Sequence, residues 1–192
     1  MQNGGAELPE FTAKQYNDYY AGAGKKDYSA PYESSIYIKI WRDVYIRLRP
    51  YKSILDLGCG TGQFAEGIPS IVDYMGVDFS SVAIEQAKQR NKYFKFTCDD
   101  VFSAISKINL GKYEVVVMLE FLEHIWDDLR LMNQIKGKRY IASVPNFMSD
   151  THVRYFSSEH EVLEKYKNSE ITTIQTYKID DRNKIFLFGN IP

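Results

Sequence analysis

One stretch of the chain sets small residues and acids in a spacing suited to a bound nucleotide. In Ile54-Leu-Asp-Leu-Gly-Cys-Gly-Thr-Gly62, three glycines (Gly58, Gly60, Gly62) alternate behind the carboxylate of Asp56. Glycine tolerates unusual backbone angles and has no Cβ, so a ligand can press against the main chain where a strand turns into a helix. Asp78 stands twenty positions after Gly58, where a carboxylate at a strand end can accept both hydroxyls of a ribose. Asp99 and Asp100 follow a third apolar run. Each acid has a plainer reading taken alone. Strand-end aspartates often cap helices, and Asp78 by itself would serve a nicotinamide dinucleotide equally well. The dinucleotide fingerprint is G-x-G-x-x-G, however, and this loop reads G-x-G-x-G.

A second group of reactive side chains lies further on. Leu119-Glu-Phe-Leu-Glu-His-Ile125 carries Glu120, Glu123 and His124 at i, i+3 and i+4, one face of a helix. Thr151-His-Val-Arg-Tyr-Phe156 adds His152. An imidazole titrates near neutrality, so His124 or His152 suits the role of a general base toward a hydroxyl. The structural alternative is that the two glutamates complement a helix dipole while His124 makes an ordinary hydrogen bond.

Elements that would position these residues follow from the apolar pattern. Short β-rich runs at Ser53–Leu57, Tyr74–Val77, Phe94–Thr97, Tyr113–Leu119 and Tyr140–Val144 alternate with helical segments. The segments fall after Gly62, after the capping Ser80 and Ser81, over Val101–Ile108 and over Leu122–Ile135. Such alternation predicts a parallel sheet covered on both faces. A helix near Ser157–Tyr166 then precedes the runs Ile171–Ile179 and Lys184–Gly189, whose short connection predicts an antiparallel hairpin. Before the sheet, the pattern predicts helices broken near Ala21-Gly-Ala-Gly24 and at Pro31, the second spanning Glu33 to Arg49. The first seven residues read as loose, residues 1–32 as a flexible N-terminus and helical lid, and 33–192 as the main domain.

Bulk properties narrow the classes. A length of 192 residues suits one domain. A formal net charge of −1 gives no electrostatic footprint for nucleic acid, and no DNA partner is expected. The two cysteines, Cys59 and Cys98, form neither a disulfide framework nor a metal-ligand spacing. Without a signal-peptide pattern or a membrane-length apolar run, a cytoplasmic protein with no membrane contact is expected, as monomer or homodimer.

Taken together, Asp56-x-Gly58-x-Gly60-x-Gly62, Gly76-Val-Asp78-Phe-Ser80, Asp99 and the terminal hairpin resemble the class I S-adenosylmethionine (SAM) methyltransferases. The resemblance extends over about residues 33–190 and includes the ubiquinone-type O-methyltransferases, which share the E-x-x-E-H run and the loop around Ser143-Val-Pro-Asn146 and His152. It implies an α/β, Rossmann-like sheet of order 3-2-1-4-5-7-6 with the last strand pair antiparallel, and a helical N-terminal cap. It also implies that Gly58, Cys59, Gly60 and Gly62 underlie the methionine portion of SAM, and that Asp56, Leu119 and Glu120 belong to the cofactor site. By the same resemblance Asp78 meets the ribose, Phe79 the adenine ring, and Asp99, Asp100 and Val101 the adenine edge, with Ser80 also in the cofactor site.

The resemblance also implies that the tyrosine-rich start, with eight of 15 tyrosines before residue 52, folds over the cofactor. Tyr28 and Tyr32 are the foremost lid residues. Certain small-RNA ribose methyltransferases and quinone-pathway enzymes resemble the set Glu120, Glu123, His124 and His152, which would then hold Mg²⁺ or Mn²⁺. The principal expectation carries no metal and transfers methyl to an oxygen of a small-molecule acceptor, or of a small-molecule-linked intermediate. The alternatives are a silent SAM-binding scaffold, a metal-assisted RNA ribose 2′-O-methyltransferase and a nucleotide-dependent oxidoreductase.

Overall fold

The computed structural model describes residues 9–22, 28 and 30–192. The expected looseness of the first seven residues, and most of the break after Ala21, lie outside those residues. Seven strands form one sheet: β1 (Ser53–Leu57), β2 (Asp73–Asp78), β3 (Lys95–Cys98), β4 (Val115–Leu119), β5 (Arg139–Pro145), β6 (Thr173–Lys178) and β7 (Lys184–Gly189). Their order is β3-β2-β1-β4-β5-β7-β6. The first five run parallel, and β7 lies antiparallel to both β5 and β6.

Alternation along the central strands feeds two cores, because successive side chains point to opposite faces. Leu55, Leu57, Val116 and Met118 join one cluster, whereas Ile54, Val115, Val117 and Ile141 join the other. The first cluster is covered by α4 (Val101–Lys107), α5 (Asp128–Gln134) and α6 (Glu159–Lys165). The second is covered by α2 (Ile38–Leu48) and α3 (Ser81–Arg90). Burial on both faces explains why β4 reads as the unbroken apolar run Val-Val-Val-Met.

The helical cap is α1 (Ala13–Ala21), started by a capping box between Thr12 and Gln15. Asn17 ties α1 to α3: its Oδ1 accepts from the Ser80 hydroxyl at 2.8 Å and from the Val82 amide at 3.3 Å. Among the described residues no helix is long and apolar enough to cross a membrane.

Three predicted helices are shorter than the pattern implies. After Gly62 there is only a 3₁₀ turn, Phe64–Gly67, because Pro69 forces Ile68 into extended backbone. The segment expected as helix from Glu33 begins as a 3₁₀ turn at Tyr32–Ser34 and becomes α-helical only at Ile38. The expected helix Leu122–Ile135 is split. Leu122–His124 is a 3₁₀ turn and α5 starts at Asp128. Glu120 sits before both with a left-handed φ of 52°, so Glu120, Glu123 and His124 do not share a helix face.

The sheet orders the site. From β1 the chain winds outward to β2 and β3, then returns to place β4 on the other side of β1, so the loops after β1 and β4 diverge and open a crevice. Closure at the far edge is tight. A Cβ on Gly189 would lie 2.3 Å from the Tyr140 carbonyl oxygen, a backbone atom that cannot swing aside. Gly189→Ala should therefore destabilise the fold by about 2 kcal/mol or more, read as a lower urea midpoint.

Candidate active site

The turn after β1 is built by hydrogen bonds that need glycine. The amides of Gly58 and Cys59 both donate to the Val77 carbonyl, at 2.8 and 3.0 Å. Gly58, Gly60 and Gly62 have φ of 76°, 51° and 70°. A Cβ on Gly58 would fall 2.3 Å from the Phe121 ring. Asp78, at the end of β2, accepts from the Gly60 amide at 3.0 Å and from the Ser80 amide at 2.9 Å. Each of its oxygens keeps a further acceptor position. Burial raises the Asp78 pKa to about 6 against these hydrogen bonds.

Beyond the strand ends lies a cavity in two lobes. The smaller, about 110 Å³, runs past Asp78, Phe79, Asp99, Asp100 and Val101. The larger, about 290 Å³, is floored by Asp56, Gly58, Cys59 and Gly60 and walled by Tyr19, Tyr28, Tyr37, Trp41 and Phe147. Tyr16, Tyr20, Gly58, Glu120 and His124 line both lobes and so mark their junction.

At the junction the reactive groups converge. The Thr151 carbonyl lies 2.8 Å from His124 Nδ1 and, being an acceptor only, favours the Nδ1–H tautomer. The Tyr16 hydroxyl shares Nδ1 at 2.8 Å. Nε2 is 3.7 Å from Glu123 Oε1, and the His152 ring meets His124 edge-on with centroids 4.8 Å apart. Burial, with His152 adjacent, lowers the His124 pKa to about 4, so the imidazole is neutral at pH 7. Burial also lowers that of His152.

Glu120 accepts from the Ser143 hydroxyl at 2.8 Å, and burial still raises its pKa to about 8. Glu123 is fully buried, and neither of its oxygens has a hydrogen-bond partner among the described residues. Burial first, and the Glu120 carboxylate second, push its pKa well up. Asp56 is raised to about 7 by burial, opposed by the hydrogen bond from the Tyr74 hydroxyl.

Most predicted site residues therefore meet at one cavity, and four stand apart from its walls. Gly62 backs onto α3, where a Cβ would touch Ala87 and Asn91 at 2.9 Å. Ser80 is the N-cap of α3 and is buried. Tyr32 packs edge-on against Tyr45 and donates its amide to Glu66, so it does not reach the cavity. Glu123 faces His124 from behind the wall. Asp99 lines the small lobe, but its carboxylate is held by Lys107 at 2.7 Å, which lowers its pKa. Asp100 caps α4 through the Phe102 and Ser103 amides. Tyr16 and Tyr20 were not singled out by motif, although their i, i+4 spacing on α1 puts both on one face.

The strand order, the glycine turn and the crevice at the switch point define a Rossmann-like α/β fold. A methyltransferase-domain family matches residues 54–137. Among curated proteins, the ubiquinone biosynthesis O-methyltransferase of Haemophilus ducreyi is 30% identical over 94 residues, 45% of this chain and 40% of the relative. That of Actinobacillus pleuropneumoniae serotype 5b is 24% identical over 123 residues, 60% of this chain and 49% of the relative. The matches thus span less than half the length of these relatives. Among solved structures, the N-methyltransferase NodS from Bradyrhizobium japonicum, crystallised with S-adenosyl-L-homocysteine, superposes with a TM-score of 0.64 at 14% identity. That alignment covers 94% of this chain and 99% of NodS. The chain is thus similar to SAM-dependent methyltransferases in sequence over residues 54–137 and in the order of its sheet.

The buried acids make stability depend on pH. Asp56, Asp78 and Glu120 have folded-state pKa values above their ordinary ones, so the folded state favours their protonated forms. That contribution is complete below about pH 4 and is lost as pH rises through 6 to 8. The ligand-free protein should lose stability on the order of 1–3 kcal/mol between pH 6 and 8.5, and Glu120→Gln should flatten the slope, as read by urea denaturation at the two pH values.

Proposed function

We propose that the two-lobed cavity binds SAM and that the protein methylates an oxygen of a small-molecule acceptor. The observation that carries this reading is the sharing of Tyr16, Glu120 and His124 by the linings of both lobes, with Asp78 lining the smaller one. The residues present fit the cofactor. Gly58 and Gly60 expose backbone without a Cβ, Asp78 retains acceptor capacity for two ribose hydroxyls, and the Phe79 ring lines the adenine side. Bound SAM supplies an electrophilic methyl on a cationic sulfonium.

The chain's own part is alignment and proton removal. Displacement at a methyl group needs its reactants held in line, and confinement between Tyr16, Tyr20 and the β4 loop supplies that order. Aromatic faces and buried carboxylates around the junction favour a cation over an anion. His124, neutral at pH 7 and lining both lobes, is the group to accept the acceptor's hydroxyl proton. Isothermal titration should give S-adenosylhomocysteine binding at micromolar Kd or tighter, roughly −8 kcal/mol, with Asp78→Ala weakening it at least about tenfold. Absence of binding at millimolar ligand contradicts the reading.

A second reading has its own observation. One ligand atom each from Glu123, His124 and His152 lies within 4.8 Å of the others, and the Glu123 oxygens are unpartnered. A divalent cation there would orient the acceptor oxygen. Under that reading Mn²⁺ raises the melting temperature of the protein saturated with S-adenosylhomocysteine, and Glu123→Gln abolishes the shift. An unchanged melting temperature leaves proton removal by His124 alone.

A further inference from the structure

The turn that carries Glu123 and His124 lacks a helix to hold it, yet nearly every carbonyl in it is engaged by one neighbouring segment. Val153 donates its amide to the Glu123 carbonyl at 2.9 Å. Arg154 donates to the Leu122 carbonyl at 2.8 Å, to the Ile125 carbonyl, and to the Trp126 carbonyl at 3.1 Å. Its guanidinium stacks 5.3 Å from the Trp126 ring centre. The Thr151 carbonyl in the same segment fixes His124 Nδ1.

Arg154 is itself held from behind. Asp128, 1% exposed, forms ion pairs with Arg154 at 3.0 Å and Lys165 at 3.2 Å and accepts a hydrogen bond from the Tyr166 hydroxyl at 2.8 Å. Only a planar, multi-donor cation can reach three carbonyls and a carboxylate at once; a lysine ammonium is a point charge with three donors. Burying such a pair is of doubtful benefit to stability alone. Its geometry nevertheless brings both terminal nitrogens to carbonyls of the turn behind the cavity junction.

We infer that Arg154, backed by Asp128 and Tyr166, is a positioning residue that fixes the 122–126 turn and thereby the tautomer and orientation of His124. The inference rests on the reading of His124 as the group at the reacting junction. Loss of the clamp frees the Leu122, Ile125 and Trp126 carbonyls to rejoin a continuous helix toward α5. That refolding carries His124 off the Thr151 carbonyl.

The test is ring-nitrogen NMR of the full chain, with His124→Gln assigning the signal, alongside titration with S-adenosylhomocysteine. In the wild type the His124 ring is expected as the pure Nδ1–H tautomer. Arg154→Gln should shift or lose that signal in a protein that still binds S-adenosylhomocysteine. Arg154→Lys, the milder change, should regain thermal stability without restoring the signal. An unchanged His124 signal in Arg154→Gln, or full restoration of it by lysine, overturns the positioning role. Failure of S-adenosylhomocysteine to bind the wild type would count instead against the proposed function.

Discussion

The Asp78 carboxylate joins two parts of the chain that the rest of the site needs in register. It accepts from Gly60 in the turn after β1 and from Ser80 at the start of α3. Without it the glycine turn has only the Val77 carbonyl to hold it against β2. The same burial that makes the carboxylate an effective tie makes its charged form costly. A ligand that brings hydroxyl donors to the free lone pairs, or positive charge nearby, relieves that cost. Structure and ligand preference thus have one origin.

The junction extends the same logic. Asp56 and Glu123 are buried and Glu120 half-buried, all with raised pKa values in or behind one crevice, and His124 and His152 are lowered by the same desolvation. Groups whose environments push acids up and bases down are poised to exchange protons near neutral pH. Around them, Tyr16, Tyr19, Tyr20 and Tyr28 pack edge to face or stack on one another, so the lid is a single aromatic layer rather than separate side chains. The Tyr16 hydroxyl on His124 Nδ1 joins that layer to the junction.

Much of this was legible in the residues. β1 and β7 were bounded at the observed residues, since short apolar runs between turn formers leave few alternatives. The antiparallel hairpin followed from a connection too short for a crossover. Asp78 and the glycines were readable because strand-end chemistry is local. What failed was the helical continuation through Leu122–Ile135. There the local pattern favours a helix, and Arg154, some thirty residues on, takes the carbonyls instead. Tyr16 was obscured for a related reason. Its function comes from a partner 108 positions away, which periodicity on α1 does not disclose. Tyr32, conversely, was favoured by position and is diverted by Glu66 and Tyr45.

Everything proposed for the cavity turns on which end of the ligand lies in which lobe. A crystal structure of the protein with S-adenosylhomocysteine measures that directly. The ribose hydroxyls are expected on Asp78, the adenine beside Phe79, and the sulfur at the junction bounded by Tyr16, Glu120 and His124. Density showing the adenosine in the larger, tyrosine-walled lobe, or the sulfur remote from His124, would contradict that placement.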